Sequence, residues 1–368
     1  MSQPIPTAAR RAARPSLRLG FVPLTDCAPL VLARELGLFA RHGLRVELSR
    51  ELGWATVRDK IIHGELDAAH ALAAMPAAAT LGLGSVACEC LTALVLNLNG
   101  NAIALSNRLW KRGVRDGASL RAEITRSRRQ GPLTFGVVFP FSSHRHLLRG
   151  WLTRHGIDPA REVRIVVVPP PQMPANLQAG NLDGFCAGEP WNSAAVRARA
   201  GWIAAASPEL DPLHPEKVLM VRGDFAVRRA AEHAALIAAL VEAGRFCDQP
   251  ENHAEVARIL AHPAFVGVPA EILRHGLEGA LDLGHGRVRT GRDFCVFHAD
   301  GANEPSPDKA AWVLNLVRAS GLGPDPAAIP PALAGRVFRA DLFREAMASG
   351  PAPAHPAAEP APAVAARL

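Results

Sequence analysis

The chain has 368 residues, 49% of them apolar, which is enough for two lobes rather than one core. No apolar run reaches membrane-spanning length, so no helical membrane span is expected. The formal net charge is +7. Between Asn107 and Gln130 eight cations (Arg108, Lys111, Arg112, Arg115, Arg121, Arg126, Arg128, Arg129) face only Asp116 and Glu123, so this one segment holds nearly the whole excess. Aromatic residues that could stack on bases are missing there apart from Trp110, so a solvated face or an acidic protein partner is expected and direct nucleic-acid binding is not.

The six cysteines read as reduced. Cys88 and Cys90 are too close for an easy bridge, and Cys27, Cys186, Cys247 and Cys295 are scattered among apolar neighbours. No CxxC pattern is present, and no metal or other cofactor is expected. Residues 1–15 carry Arg10, Arg11 and Arg14 with no apolar segment behind them, which predicts a disordered start and a cytoplasmic location.

In chain order, SLRLGFVP (16–23) predicts a strand, and Thr25 or Asp26 the N-cap of a helix carrying Leu30, Val31, Leu36, Leu38 and Phe39. Gly43 ends that helix and RVELSR returns as a strand. A second helix runs from about Trp54 to Ile62, and ELDAAHAL supplies another strand. The same order recurs: RHGL-RVEL echoes RHGI-DPAREVRIVVV, and HGELDAAHALAAMP (63–76) echoes AGNLDGFCAGEPW (179–191). Two βαβ lobes on one plan follow, with ligand-binding loops at the strands' C-terminal ends facing across a cleft.

The lobes should comprise 16–104 plus about 215–345, and 105–214. The crossings are expected in TALVLNLNGNAIALSN (92–107) and HPEKVLMVRGDF (214–225). From Arg228 onward the chain reads as helical, and 349–368, rich in Ala and Pro, as disordered.

The stretch LTFGVVFPFSSHRHLLRGW (133–151) organises the second lobe. A β-branched run is stopped by Pro140, and Ser142-Ser143 cap a helix with apolar Leu147, Leu148, Trp151 and Leu152. Free backbone N–H groups and a positive dipole end, with His144 in the first turn, suit a small anion; an ordinary βα turn is the alternative. Glu189, near Trp191 and Asn192, either lines the cleft or caps a helix. No nucleophile–base pair stands at convincing spacing, Cys186 near Glu189 being a weak candidate, so no enzyme is expected.

Several stretches together resemble the nitrate-binding proteins of the NrtA/NasS type: GFVPLTDCAPLVLARELGLF, GWATVRDKIIHGELDAAHALAAMP, LNLNGNAIALSN, FPFSSH, VVPPPQM, GEPWN and PEKVL. The resemblance runs in order from about Leu17 to Leu342. It implies an α/β, two-lobed periplasmic-binding-protein-like fold of type II, related to the solute-binding lobes of ABC transporters. It also implies a ligand held by a Trp, an amide, a His and a Lys, which fall here on Trp54, Asn101, His144 and Lys217, with Gly100, Ser143, Glu189 and Trp191 as further cleft-lining positions. Asn101 stands where the transporter branch has Gln and is one methylene shorter. Lys217, which bicarbonate-binding relatives replace by an acid, argues for nitrate or nitrite.

Nitrate needs one cation and several neutral donors, because an extra charge in a buried site is left unpaired. The resemblance then implies a cytoplasmic nitrate/nitrite sensor that controls a NasT-like antiterminator with an ANTAR domain. The alternative is a solute-binding component of a nitrate, bicarbonate or sulfonate ABC transporter.

Overall fold

The computed structural model describes residues 16–322 and 329–349. The expected disorder of 1–15 and 349–368 lies outside these residues apart from Ser349. The strands are β1 (Leu17–Phe21), β2 (Val46–Arg50), β3 (Ala68–Leu72), β4 (Cys90–Asn99), β5 (Asn101–Ser106), β6 (Leu133–Val137), β7 (Val163–Val167), β8 (Gly184–Gly188), β9 (Gly201–Ala206), β10 (Pro215–Arg222), β11 (Ala280–Gly284), β12 (Arg287–Thr290) and β13 (Cys295–Val296). They form a first sheet in the order β13-β4-β10-β3-β1-β2, a second in the order β7-β6-β8-β5-β9, and a β11-β12 hairpin.

The repeat seen in the sequence is present in the backbone. β1 lies parallel between β2 and β3, as β6 lies parallel between β7 and β8. Leu17 stands opposite Val46 and Leu19 opposite Ala68, just as Leu133 stands opposite Val163 and Phe135 opposite Gly184. In each lobe an Asp just before the third strand is the tie. The Arg18 amide donates to Asp67 Oδ2 at 2.8 Å and the Thr134 amide to Asp183 Oδ2 at 2.9 Å. The inner strands are largely apolar because they are covered on both faces; β3 and β4 are buried along their whole length, His70 and Asn97 included.

The fourth strand of each sheet runs antiparallel, β10 against β3 and β5 against β8. The chain passes from one sheet to the other at Gly100, where Asn99 (φ 59°) and Gly100 (φ 95°) turn it in the left-handed region that favours glycine and tolerates asparagine. This moves the expected lobe boundary from 104 to 100, since Asn101–Leu105 already pair with β8. The return crossing is also corrected. It lies between β9 and β10, because Pro215–Arg222 belongs wholly to the first sheet, paired with β3 and β4.

Two further expectations change. Neither Thr25 nor Asp26 caps the first helix: Thr25–Cys27 make a single 3₁₀ turn and the helix starts at Ala28 without a side-chain cap. The chain after Arg228 is not helical throughout either. ALDLG and RVRT alternate with period two around Gly284 (φ 82°) and Gly286 (φ 75°), and close as a hairpin. Its tip rests on the second lobe: His285 stacks on Trp110 with ring centroids 3.7 Å apart, and Arg287 donates to the Ile203 carbonyl at 3.2 Å.

Candidate functional site

Both lobes send their first βα turn toward the same point. After β1 the 3₁₀ turn carries Asp26; after β6 the helix Ser143–Arg154 begins with His144 in its first turn, its N-cap Ser142 accepting from the Arg145 amide at 3.2 Å as the sequence predicts. Between these turns stands β10, whose ladder with β4 slips around Lys217. The slip lets consecutive side chains meet: Lys217 Nζ donates to Glu216 Oε1 at 2.7 Å and to Asp26 Oδ2 at 2.7 Å.

Each carboxylate has other partners. His70, from the middle of β3, places Nε2 2.8 Å from Asp26 Oδ1. The Asn101 amide donates to Glu216 Oε2 at 2.6 Å, and His214 Nε2 lies 3.1 Å from the same oxygen. His214 Nδ1 faces the Asp211 carbonyl at 2.7 Å, so both ring nitrogens lie near acceptor oxygens.

Four expected residues therefore come together. Trp54, His144, Asn101 and Lys217 are all essentially without solvent contact. Trp54 opens the helix Trp54–Ile62, its ring 5.5 Å from Lys217 Nζ and its indole N–H without a hydrogen-bond partner. His144 Nε2 also lacks one, lying 3.6 Å from Glu216 Oε1, while its Nδ1 is 3.4 Å from Ser143 Oγ. Trp191 and Glu189 act across the lobes elsewhere. The Trp191 indole donates to the Pro23 carbonyl at 2.9 Å, and the Thr25 amide donates to the Glu189 carbonyl at 2.8 Å. The Glu189 carboxylate accepts from the Ser193 amide at 3.3 Å beside the first turn of the helix Trp191–Arg197, whose N-cap is Pro190, and its other oxygen has no partner; burial pushes its pKa up to about 7. Gly100 is the crossing itself.

The structure corrects two expectations about this chemistry. Lys217 is not a lone cation among neutral donors: Asp26 and Glu216 flank it, and two of its three N–H groups are engaged. The Asn101 amide nitrogen is directed at Glu216 and only its Oδ1 is left without a partner, so Asn101 holds the carboxylate in place. Burial opposes the charge on Asp26 and Glu216 and is the largest single effect, but Lys217 together with His70 at Asp26, and Lys217 together with His144 and His214 at Glu216, hold both carboxyls below their ordinary range. Burial likewise opposes the Lys217 ammonium, yet Asp26 and Glu216 keep its pKa above the ordinary value. His144 is held down to about 4, chiefly by burial.

Sequence reasoning missed Asp26, His70, His214 and Glu216. His70, one polar residue inside the apolar strand AAHAL, is the signal that could have found them. Burial raises the Cys186 thiol well above its ordinary value, which opposes formation of a thiolate. Among the described residues no group of three or more His, Cys, Asp or Glu is arranged to hold a metal ion, and no helix is long and apolar enough to cross a membrane.

Residues 10–261 match the model of the NMT1-like family. The chain belongs to that family. It is 31% identical to the periplasmic nitrate-binding protein NrtA of Synechocystis PCC 6803, whose crystal structure it matches with a TM-score of 0.86 over 91% of this chain and 89% of that one. The two-lobed binding-protein fold is thereby established. It is 40% identical over 334 residues to the nitrate import ATP-binding protein NrtC of Synechocystis, covering 90% of this chain and 50% of that protein. It is also 37% identical over 313 residues to the bicarbonate transport ATP-binding protein CmpC of Synechococcus elongatus, covering 84% of this chain and 46% of that protein. The chain thus spans about half the length of these two curated relatives.

Proposed function

We propose that the chain captures nitrate or nitrite between its lobes and delivers it to an ABC-type membrane transporter. The observation that carries this reading is the convergence of Lys217, Trp54 and His144, drawn from both lobes, on one buried point. The remaining Lys217 N–H, the Trp54 indole N–H and the His144 ring are the donors that a planar anion with three acceptor oxygens requires. The likeness to NrtA and the import named for NrtC support nitrate and delivery. Lys217 is what favours nitrate over bicarbonate.

Calorimetric titration with nitrate, nitrite, bicarbonate and methanesulfonate tests the reading. Saturable binding of nitrate or nitrite at one site per chain is expected, and binding of bicarbonate or the sulfonate alone would overturn it.

A second reading makes the same capture a signal: a cytoplasmic sensor that holds a NasT-like, ANTAR-domain antiterminator until the anion arrives. It is supported by the exposed basic face of Arg108, Lys111, Arg115, Arg126, Arg128 and Arg129, which suits an acidic partner. Closure can release such a partner only if the partner prefers the open form. Co-elution abolished by nitrate, together with recovery of the chain from the cytoplasmic fraction, is the outcome this reading requires.

A further inference from the structure

Before any anion is considered, the one ammonium of the site already stands between two buried carboxylates. Lys217 answers both Asp26 and Glu216 at 2.7 Å, and His214 Nε2 lies 3.1 Å from Glu216. Neither carboxylate is free to swing away, since His70 holds Asp26 and Asn101 holds Glu216. A monoanion added here brings a further negative charge that this ammonium cannot also neutralise into a place without solvent, where such a charge is costly. Two ring nitrogens of the cluster have no partner, His70 Nδ1 and His144 Nε2. His70 is already tied to Asp26 through Nε2, whereas His144 Nε2, fully buried and 3.6 Å from Glu216 Oε1, is brought in from the second lobe.

We propose that each anion is bound together with one proton taken from solvent, and that His144 carries that proton on Nε2. This rests on the anion-binding reading above and adds a stoichiometry to it. The protonated ring points a charged donor at the anion and offsets its charge. The groups that face His144 are Glu216 and Lys217 from β10, His214 at the start of that strand, and Asp26 from the turn after β1. His70 stands beyond Asp26, with Nε2 on it. Burial first of all, then Lys217 and His214, keep the ring neutral against the pull of Glu216 and Asp26. His144 therefore begins unprotonated at neutral pH, and the incoming anion tips the balance.

The experiment is calorimetry of nitrate binding in two buffers of different ionisation enthalpy, PIPES and Tris, repeated from pH 6.5 to 8. The difference in heat should correspond to about one proton taken up per nitrate, with Kd rising about tenfold per pH unit. His144→Gln keeps an amide donor but cannot take the proton; its uptake should fall to about zero and its Kd should become flat with pH. Nitrate binding without proton uptake by the wild-type protein overturns the proposal and leaves the anion-binding reading standing. Absence of nitrate binding in every buffer overturns both. Full uptake retained by His144→Gln removes His144 as the carrier. The wild-type slope decides the stoichiometry even if that variant does not fold.

Discussion

The two lobes share one plan but fill its equivalent positions with different chemistry. At the turn after the first strand, lobe one has Asp26 and lobe two has His144. On the third strand, where HGELDAAHAL and AGNLDGFCAG align, lobe one has His70 and lobe two has Cys186. On the antiparallel fourth strand, lobe one has Glu216 and Lys217 and lobe two has Asn101. Lobe one therefore carries the fixed charges, and lobe two brings a neutral imidazole and an amide up to them. The backbone repeat specifies where the site is, while the side chains that broke the repeat specify what it recognises.

The largest expected effect comes from the charged lobe. Lys217→Met leaves Asp26 and Glu216 buried around a side chain with no charge, and should lower unfolding free energy by about 3–5 kcal/mol and abolish nitrate binding. Adding Asp26→Asn and Glu216→Gln to that variant should recover most of the stability but none of the binding. Urea titrations that find Lys217→Met as stable as the wild type would show that the ammonium is not what holds those carboxylates.

The neutral lobe should reveal itself in acid. The folded-state pKa of His144, about 4, lies below its ordinary 6.5, so its contribution to stability is fully present above 6.5 and is lost as pH falls toward 4. That is roughly 3 kcal/mol, from about 1.4 kcal/mol per unit. His233, also held at about 4 by burial and by Arg339, works in the same window, so the readout is the difference between wild type and His144→Gln. Asp26 and Glu216 act lower, below their ordinary 3.8 and 4.5, because their pKa values are depressed. Equal pH slopes from 6.5 to 4 for the two proteins would contradict this assignment.

The shared plan is tested by symmetry. Asp67→Ala and Asp183→Ala remove the same tie from each lobe and should each cost about 1–3 kcal/mol, with the two losses alike. A large effect in one lobe alone would mean that only one copy of the tie stabilises its sheet. The smallest effect is expected at the basic face. Reversing Arg126, Arg128 and Arg129 to Glu should leave nitrate affinity within about twofold, because solvent screens exposed charges so far from the buried cluster. In this face Arg112 and Arg126 close on buried Glu123, and Arg121 on Glu162.

Much of this was legible in the sequence, for identifiable reasons. The repeat was visible because parallel strands buried on both faces leave apolar runs bounded by Gly43, Gly64, Gly156 and Gly180. The His144 turn was visible because Ser142 caps a helix directly after a strand. Glu216 and Asp26 were not, because a charged side chain beside a turn or another charge ordinarily faces solvent. Only the slipped register of β10 brings Glu216 to the same point as Lys217, and no periodicity announces a slip. The 280–290 hairpin was missed because its two short strands lie in a region dominated by helical spacing, although the Gly284-His285-Gly286 turn marks it.

The most direct test of the central claim is a crystal structure of the protein grown with nitrate. The account predicts the anion within hydrogen-bond distance of Lys217 Nζ, Trp54 Nε1 and His144 Nε2, with Asp26 and Glu216 still on Lys217. Nitrate found elsewhere, with these three groups still lacking a shared ligand, would contradict it.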